Sequence, residues 1–106
     1  MALQEYDHYD AVGLATLVRG GELSAREVLE EAIARAETVN PALNCLAHRV
    51  YDVARGAADD VHLPRGPLMG VPWLAKELAS MWGGQPFTST SPYLKDVLAP
   101  GNALVL

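Results

Sequence analysis

Cysteine is all but missing. Cys45 is the single one in 106 residues, which excludes an internal disulfide; its apolar context reads as a small core residue rather than a thiol nucleophile. A reducing compartment is the expectation. Positive charge is sparse as well. Arg19, Arg26, Arg35, Arg49, Arg55, Arg65, Lys76 and Lys95 are scattered against thirteen acids, for a net charge of -5. Without a basic patch to displace counterions from phosphates, nucleic acid is not an expected partner. No apolar run approaches the length of a bilayer-spanning helix, and MALQEYDHYD at the N-terminus has neither a basic head nor an apolar centre. The chain is expected to be cytoplasmic and to make no membrane contact. His8, His48 and His62 stand far apart without cysteines or paired acids beside them, so neither a metal nor a cofactor is expected. No segment resembles a phosphate-binding loop, and no repeat or low-complexity tract interrupts the chain.

What remains is an ordinary globular composition. Half the residues are hydrophobic and 20% are charged, enough for one small domain at most. Asp7 or Asp10 can cap a first helix over about 10–19, with Ala11, Leu14, Ala15, Leu17 and Val18 on one face and Gly20-Gly21 as its stop. The second helix has a sharper start. Ser24 and Glu27 form a capping box, and Leu23 and Val28 are spaced as a hydrophobic staple. The helix should run over 25–39, with Val28, Leu29, Ala32, Ile33, Ala36 and Val39 inward and Glu30, Glu31, Arg35 and Glu37 on a solvated face. Asn40-Pro41 should break it, because proline disfavours the helical conformation of the residue before it. The pattern predicts a strand over 44–50, then a third helix over 52–61 capped by Asp52, with Val53, Ala54, Ala57 and Val61 inward.

The chain's most distinctive stretch is Gly66 to Leu78, GPLMGVPWLAKEL. Pro67 and Pro72 fix φ, Gly66 and Gly70 free it, and the apolar residues between and after them predict a buried strand over 71–76. Lys76 ends that strand. On residue chemistry alone it is a snorkelling surface lysine; if its apolar neighbours enclose it, desolvation disfavours the charged form and the amine can serve as a base. Trp73 and Trp82 read as packing residues. Beyond Gly83-Gly84-Gln85-Pro86, the run Phe87 to Ser91 offers hydroxyls, yet Ser89 and Ser91 lack the flanking glycines of a nucleophile turn and read as turn and capping residues. Pro92 opens a short helical turn that Pro100-Gly101 closes, and Asn102 can cap a further start.

The pattern G-P-L-x-G-V-P-x-x-x-K-E/D-L, filled here by Gly66 to Leu78, resembles the lysine segment of the amidase signature family. Gly21 to Asn44, GELSAREVLEEAIARAETVNPALN, is similar to the helix and Asn-Pro turn that precede it in that family. The resemblance implies an α/β fold, with these N-terminal helices leading into the first strands of a mixed sheet that is incomplete in this chain. It implies a hydrolase of linear amide C–N bonds with a serine nucleophile, a second serine on a cis peptide bond, and a lysine as ultimate base. Lys76 matches the lysine. Glu77 stands where aspartate is more usual, and Thr90-Ser91 stands where the family has Gly-Ser. The family's Gly/Ser-rich nucleophile segment has no counterpart, so the chain reads as the N-terminal portion of a longer amidase and is expected to be inactive alone. An amidotransferase subunit would carry the same segment. The expected partner of the full-length protein is a small-molecule amide, and exposed apolar surface leaves self-association into a homo-oligomer open. A different class of function also fits: a non-catalytic helical module presenting its acidic helix, Ala25 to Val39, to a partner. Only the enzyme needs Lys76 buried near two hydroxyls.

Overall fold

The computed structural model describes residues 5–76, 82–88 and 91–102. The chain divides into two compact units, Met1–Pro72 and Trp73–Leu106. The first is built on α1 (Ala11–Arg19), α2 (Ala25–Leu43) and α3 (Tyr51–Ala58), preceded by a 3-10 turn at Tyr6–His8.

Local chemistry accounts for the first two helix starts. Asp10 caps α1, its carboxylate accepting from the Gly13 amide at 2.7 Å, while Asp7 turns instead to Arg35 on α2 at 2.5 Å. The end of α1 is a Schellman motif: the Glu22 amide reaches the Leu17 carbonyl at 3.0 Å and the Gly21 amide reaches Val18 at 3.1 Å. Gly21 takes the φ of +78° that this closure demands. At the start of α2 the Ser24 hydroxyl accepts from the Glu27 amide at 3.0 Å and the Glu27 carboxylate accepts from the Ser24 amide at 3.3 Å. Leu23 and Val28 are buried in the same cluster as Leu14, Val18 and Ala25, the staple that fixes the angle between α1 and α2. Tyr6, Leu17, Ala58, Leu63, Met69 and Val71 pack around this core.

Later elements depart from the sequence reading. Pro41 does not end α2, which continues to Leu43. The missing proline amide is placed in the last turn, and the stop moves to Asn44, whose left-handed backbone (φ 49°) lets its amide reach the Asn40 carbonyl at 2.6 Å. Asn40 is buried, and its side-chain oxygen accepts from the Cys45 and Leu46 amides at 2.8 and 2.9 Å. Those amides are therefore spent on a side chain. The segment 44–50 is not a strand, and Cys45 is exposed rather than a core residue.

The third helix starts at Tyr51, with Asp52 inside its first turn and no side-chain cap at Val50. Its inward residues are also shifted. The helix ends at Ala58, short of the expected 61, so Val61 lies beyond it and is 90% exposed; Val53 is 41% exposed, and the helix buries no residue fully. What joins α3 to α2 is charge. Arg55 forks onto Glu30 at 2.7 and 3.2 Å, Arg26 meets Glu30 at 2.7 Å and Asp59 at 2.6 Å, and Arg49 and Tyr51 converge on Glu37 at 2.6 and 2.5 Å. The face of α2 read as solvated is thus largely paired within the chain.

In the second unit, residues 84–87 run antiparallel to 97–99. The Gly84 and Phe87 amides donate to Ala99 and Val97, and the Ala99 amide returns to Gln85 at 2.8 Å. This isolated bridge is the extent of β pairing among the described residues. Residues 71–76, which straddle the boundary between the units in sequence, are not a strand either: Pro72 offers no amide, and no described segment pairs with them. Ser91 caps a 3-10 turn over Pro92–Leu94, and Asn102 accepts from the Gly83 amide at 2.8 Å. The further helix start expected after Asn102, at Ala103 to Leu106, lies outside the described residues.

Candidate active site

The segment read as chemically important is built from its N-terminal end. Leu63, Pro64 and Arg65 lead into Gly66-Pro67, whose carbonyls both face the Arg19 guanidinium at the end of α1, at 3.1 and 3.5 Å. Leu68 to Val71 then form a turn closed by the Val71 amide on the Leu68 carbonyl at 3.1 Å. Its third position is Gly70 at φ +74°, as a type II turn requires. A methyl group on Gly70 would lie 2.8 Å from a Val18 methyl and 3.1 Å from Ala25. Backbone conformation and close packing thus both demand glycine, and Met69 and Val71 on either side pack on the helical core. In the sequence Arg19 is one of eight scattered basic residues. Its role as a clamp depends on a contact 47 residues away, which no local pattern signals.

After Pro72 the surroundings change. Trp73 and Leu74 are 63% and 73% exposed, so Trp73 is not the packing residue expected. Lys76 is exposed, and among the described residues it has no hydrogen-bond or ion-pair partner. The apolar enclosure expected around its ammonium is not supplied by these residues. Trp82 is partly buried. Glu77 and Leu78 lie outside the described residues, as do Ser89 and Thr90. Ser91 accepts from the Tyr93 amide at 3.3 Å, the capping role its neighbours imply. Lys76 is therefore brought together with no hydroxyl that the structure describes. An open apolar depression lies along Leu63 to Gly70. Its lining holds no titratable side chain. Among the described residues no three His, Cys, Asp or Glu side chains are placed to share a metal ion.

Among the described residues the strongest electrostatic perturbation sits elsewhere, at Glu30. Hydrogen bonds from Arg55 and then Arg26 hold its carboxyl down at about 2. Glu37 is lowered in the same way by Arg49 and Tyr51. Glu30 pairs within α2 and across to α3, and Glu37 pairs with Arg49 of the segment that leads into α3.

Comparison with known proteins supplies what the geometry leaves open. The family model for Amidase matches residues 27–106, from the first turn of α2 through the whole Gly66–Leu78 segment. The chain belongs to the amidase family. Among its relatives, "Putative amidase AmiC" of Mycobacterium tuberculosis is 47% identical over 77 residues, 73% of this chain and 16% of that protein. A 6-aminohexanoate-cyclic-dimer hydrolase of Paenarthrobacter ureafaciens is 38% identical over 87 residues, 82% of this chain and 17% of that protein. An acylamidase of Rhodococcus erythropolis is 32% identical over 114 residues, all of this chain and 23% of that protein. The chain thus spans less than a quarter of the length of these amidase relatives. No described helix is long and apolar enough to cross a membrane.

Proposed function

We propose that the whole protein to which this chain contributes hydrolyses amide C–N bonds, and that Lys76 is the ultimate base of a Ser-cisSer-Lys mechanism. The observation that carries the reading is the family match, whose range, residues 27–106, includes the lysine segment. The fold proposed for the whole domain is α/β, with residues 71–76 joining a mixed sheet once a neighbouring strand is present. In the mechanism, a serine hydroxyl attacks the amide carbonyl and its proton passes through the second serine to the uncharged lysine amine. The proton is then delivered to the departing nitrogen, and water releases the acyl group from the serine. A neutral amine needs desolvation. Nothing among the described residues encloses Lys76, so both the enclosure and the serines are assigned to chain outside them. The protein is placed in the cytoplasm, and linear amides are the proposed substrate class. The alternative of an acidic docking helix loses its main support, because Glu30, Glu31 and Glu37 on α2 are already paired with arginines of this chain.

The test is an assay on simple aryl and aliphatic amides of this chain, of the longer protein, and of Lys76→Ala and Lys76→Arg in the longer protein. The short chain should show no turnover, since a base without nucleophile and oxyanion donors leaves the barrier almost untouched. Both variants should lose about a hundred- to ten-thousandfold in rate. Arginine should not rescue, because a guanidinium does not give up its proton in a protein. Turnover by the short chain, or a Lys76→Arg enzyme with most of its rate, removes Lys76 from the base role.

A further inference from the structure

We propose that α3 is a charge-latched helix, held on α2 by the Glu30 and Glu37 carboxylates and able to leave as a unit while the α1–α2 core stays folded. The first observation is what α3 lacks. None of its residues is buried, Val53 faces water, and only Ala58 reaches the core cluster, from its partly buried rim. The core itself, Leu14, Val18, Leu23, Ala25 and Val28, comes wholly from α1, α2 and the link between them. Burial is what makes an element cooperative with the rest of a fold, and α3 contributes little of it.

The second observation is how completely charge takes over. From α2 the groups facing the seam are Arg26, Glu30 and Glu37; from α3 they are Tyr51 and Arg55, with Asp59 at its C-cap; from the preceding segment the group is Arg49, while the fully exposed Asp52 meets Arg55 within α3 at 3.5 Å. Glu30 is the centre, accepting from Arg26 of its own helix and from the Arg55 fork. Glu37 is the second latch, seven positions along the same stripe of α2, and it holds the entry to α3 through Arg49 and Tyr51. The pairs are open to solvent, with side-chain exposures of 41% for Glu30 and 32% for Arg55. Mobile ions therefore reach them, and at about 1 M salt the Debye length falls to about 3 Å, the separation of the pairs themselves. The contacts that seat residues 66–71, namely Arg19 on Gly66 and Gly70 on Val18, involve no residue of α3. Opening α3 therefore uncovers the 26, 30, 33, 37 stripe of α2 without releasing the turn that precedes Lys76.

The test is amide hydrogen exchange on the 106-residue chain at neutral pH, in low salt and in about 1 M sodium chloride. It compares Ala54 and Ala58 of α3 with Val28 to Ile33 of α2 and with Val71. Salt should lower protection in α3 by about three- to tenfold, the range expected for a few solvent-exposed pairs, with the other amides unchanged. Glu30→Gln should do the same in low salt, whereas Glu22→Gln, a neutralisation away from the seam, should move neither set. Equal losses in α2 and α3 would mean that the helices open together, and unchanged α3 protection in salt would mean that charge does not hold it. Either result overturns the proposal. Because the salt arm uses the unaltered sequence, poor folding of the Glu30→Gln variant would not decide the outcome.

Discussion

The two halves of the lysine segment are adjacent in sequence and opposite in surroundings. Residues 66–71 are pinned by a guanidinium on two carbonyls, by a turn that only glycine can make, and by Met69 and Val71 on the helical core. Residues 73–76 carry comparable apolarity, yet Trp73, Leu74 and Lys76 all face water. The difference shows that one continuous motif carries two kinds of constraint. Glycines and prolines before Pro72 answer to packing within this chain. The residues after it answer to nothing the chain itself describes, and the family match is what gives them meaning.

The largest effect expected on stability breaks the pinned half. Gly70→Ala forces a side chain into the left-handed region and drives it against Val18, at a combined cost of about 2 to 4 kcal/mol. Urea unfolding of the variant measures this; a change below about 0.5 kcal/mol, the range of an ordinary surface substitution, would mean the turn is not seated as described. Next comes Ser24→Ala, which removes the cap from the helix that carries the pinned turn and should cost about 1 kcal/mol. Hydrogen exchange at Val28 to Ile33 reports it, and unchanged protection would assign the cap elsewhere.

Acid should have a smaller effect, graded rather than abrupt. Glu30 titrates at about 2 in the folded chain, below its ordinary 4.5, because Arg55 and Arg26 favour its charged form. A depressed carboxyl adds stability above the ordinary value, and that stability drains away as the pH falls from 4.5 toward 2. Unfolding midpoints across this window should decline less steeply in Glu30→Gln than in the unaltered chain; parallel declines would show that other acids carry the response. The smallest effect sharpens the comparison from the exposed side. Trp73→Ser should leave the unfolding free energy within about 0.5 kcal/mol while reducing self-association seen by sedimentation. A large loss of stability would place Trp73 in a packed setting after all.

How far the sequence could be read depended on how local the cause was. Asp10, Ser24, Glu27 and Gly21 act within a few residues of themselves, so the limits of α1 and the start of α2 were legible. Asn40-Pro41 was misread as an immediate stop because Pro41 falls in the last turn, and the left-handed Asn44 rather than the proline ends the helix. The inward face of α3 was misread because periodicity ranks Val53 above Arg55, while the partner helix offers Glu30 rather than an apolar surface. For the site, the residue type and spacing around Lys76 were visible at once, and its environment was not.

The amino-acid sequence by itself determined the caps at Asp10 and Ser24, the turn at Gly70 and membership in the amidase family, since each rests on short-range geometry or on the order of residues along the chain. Only the tertiary structure decided that Arg19 clamps Gly66 and Pro67, that arginines and carboxylates line the seam between α2 and α3, and that no described segment pairs with Val71 to Lys76. Those outcomes depend on which groups meet across long separations. A strand in particular has no stable form until a neighbour accepts its hydrogen bonds.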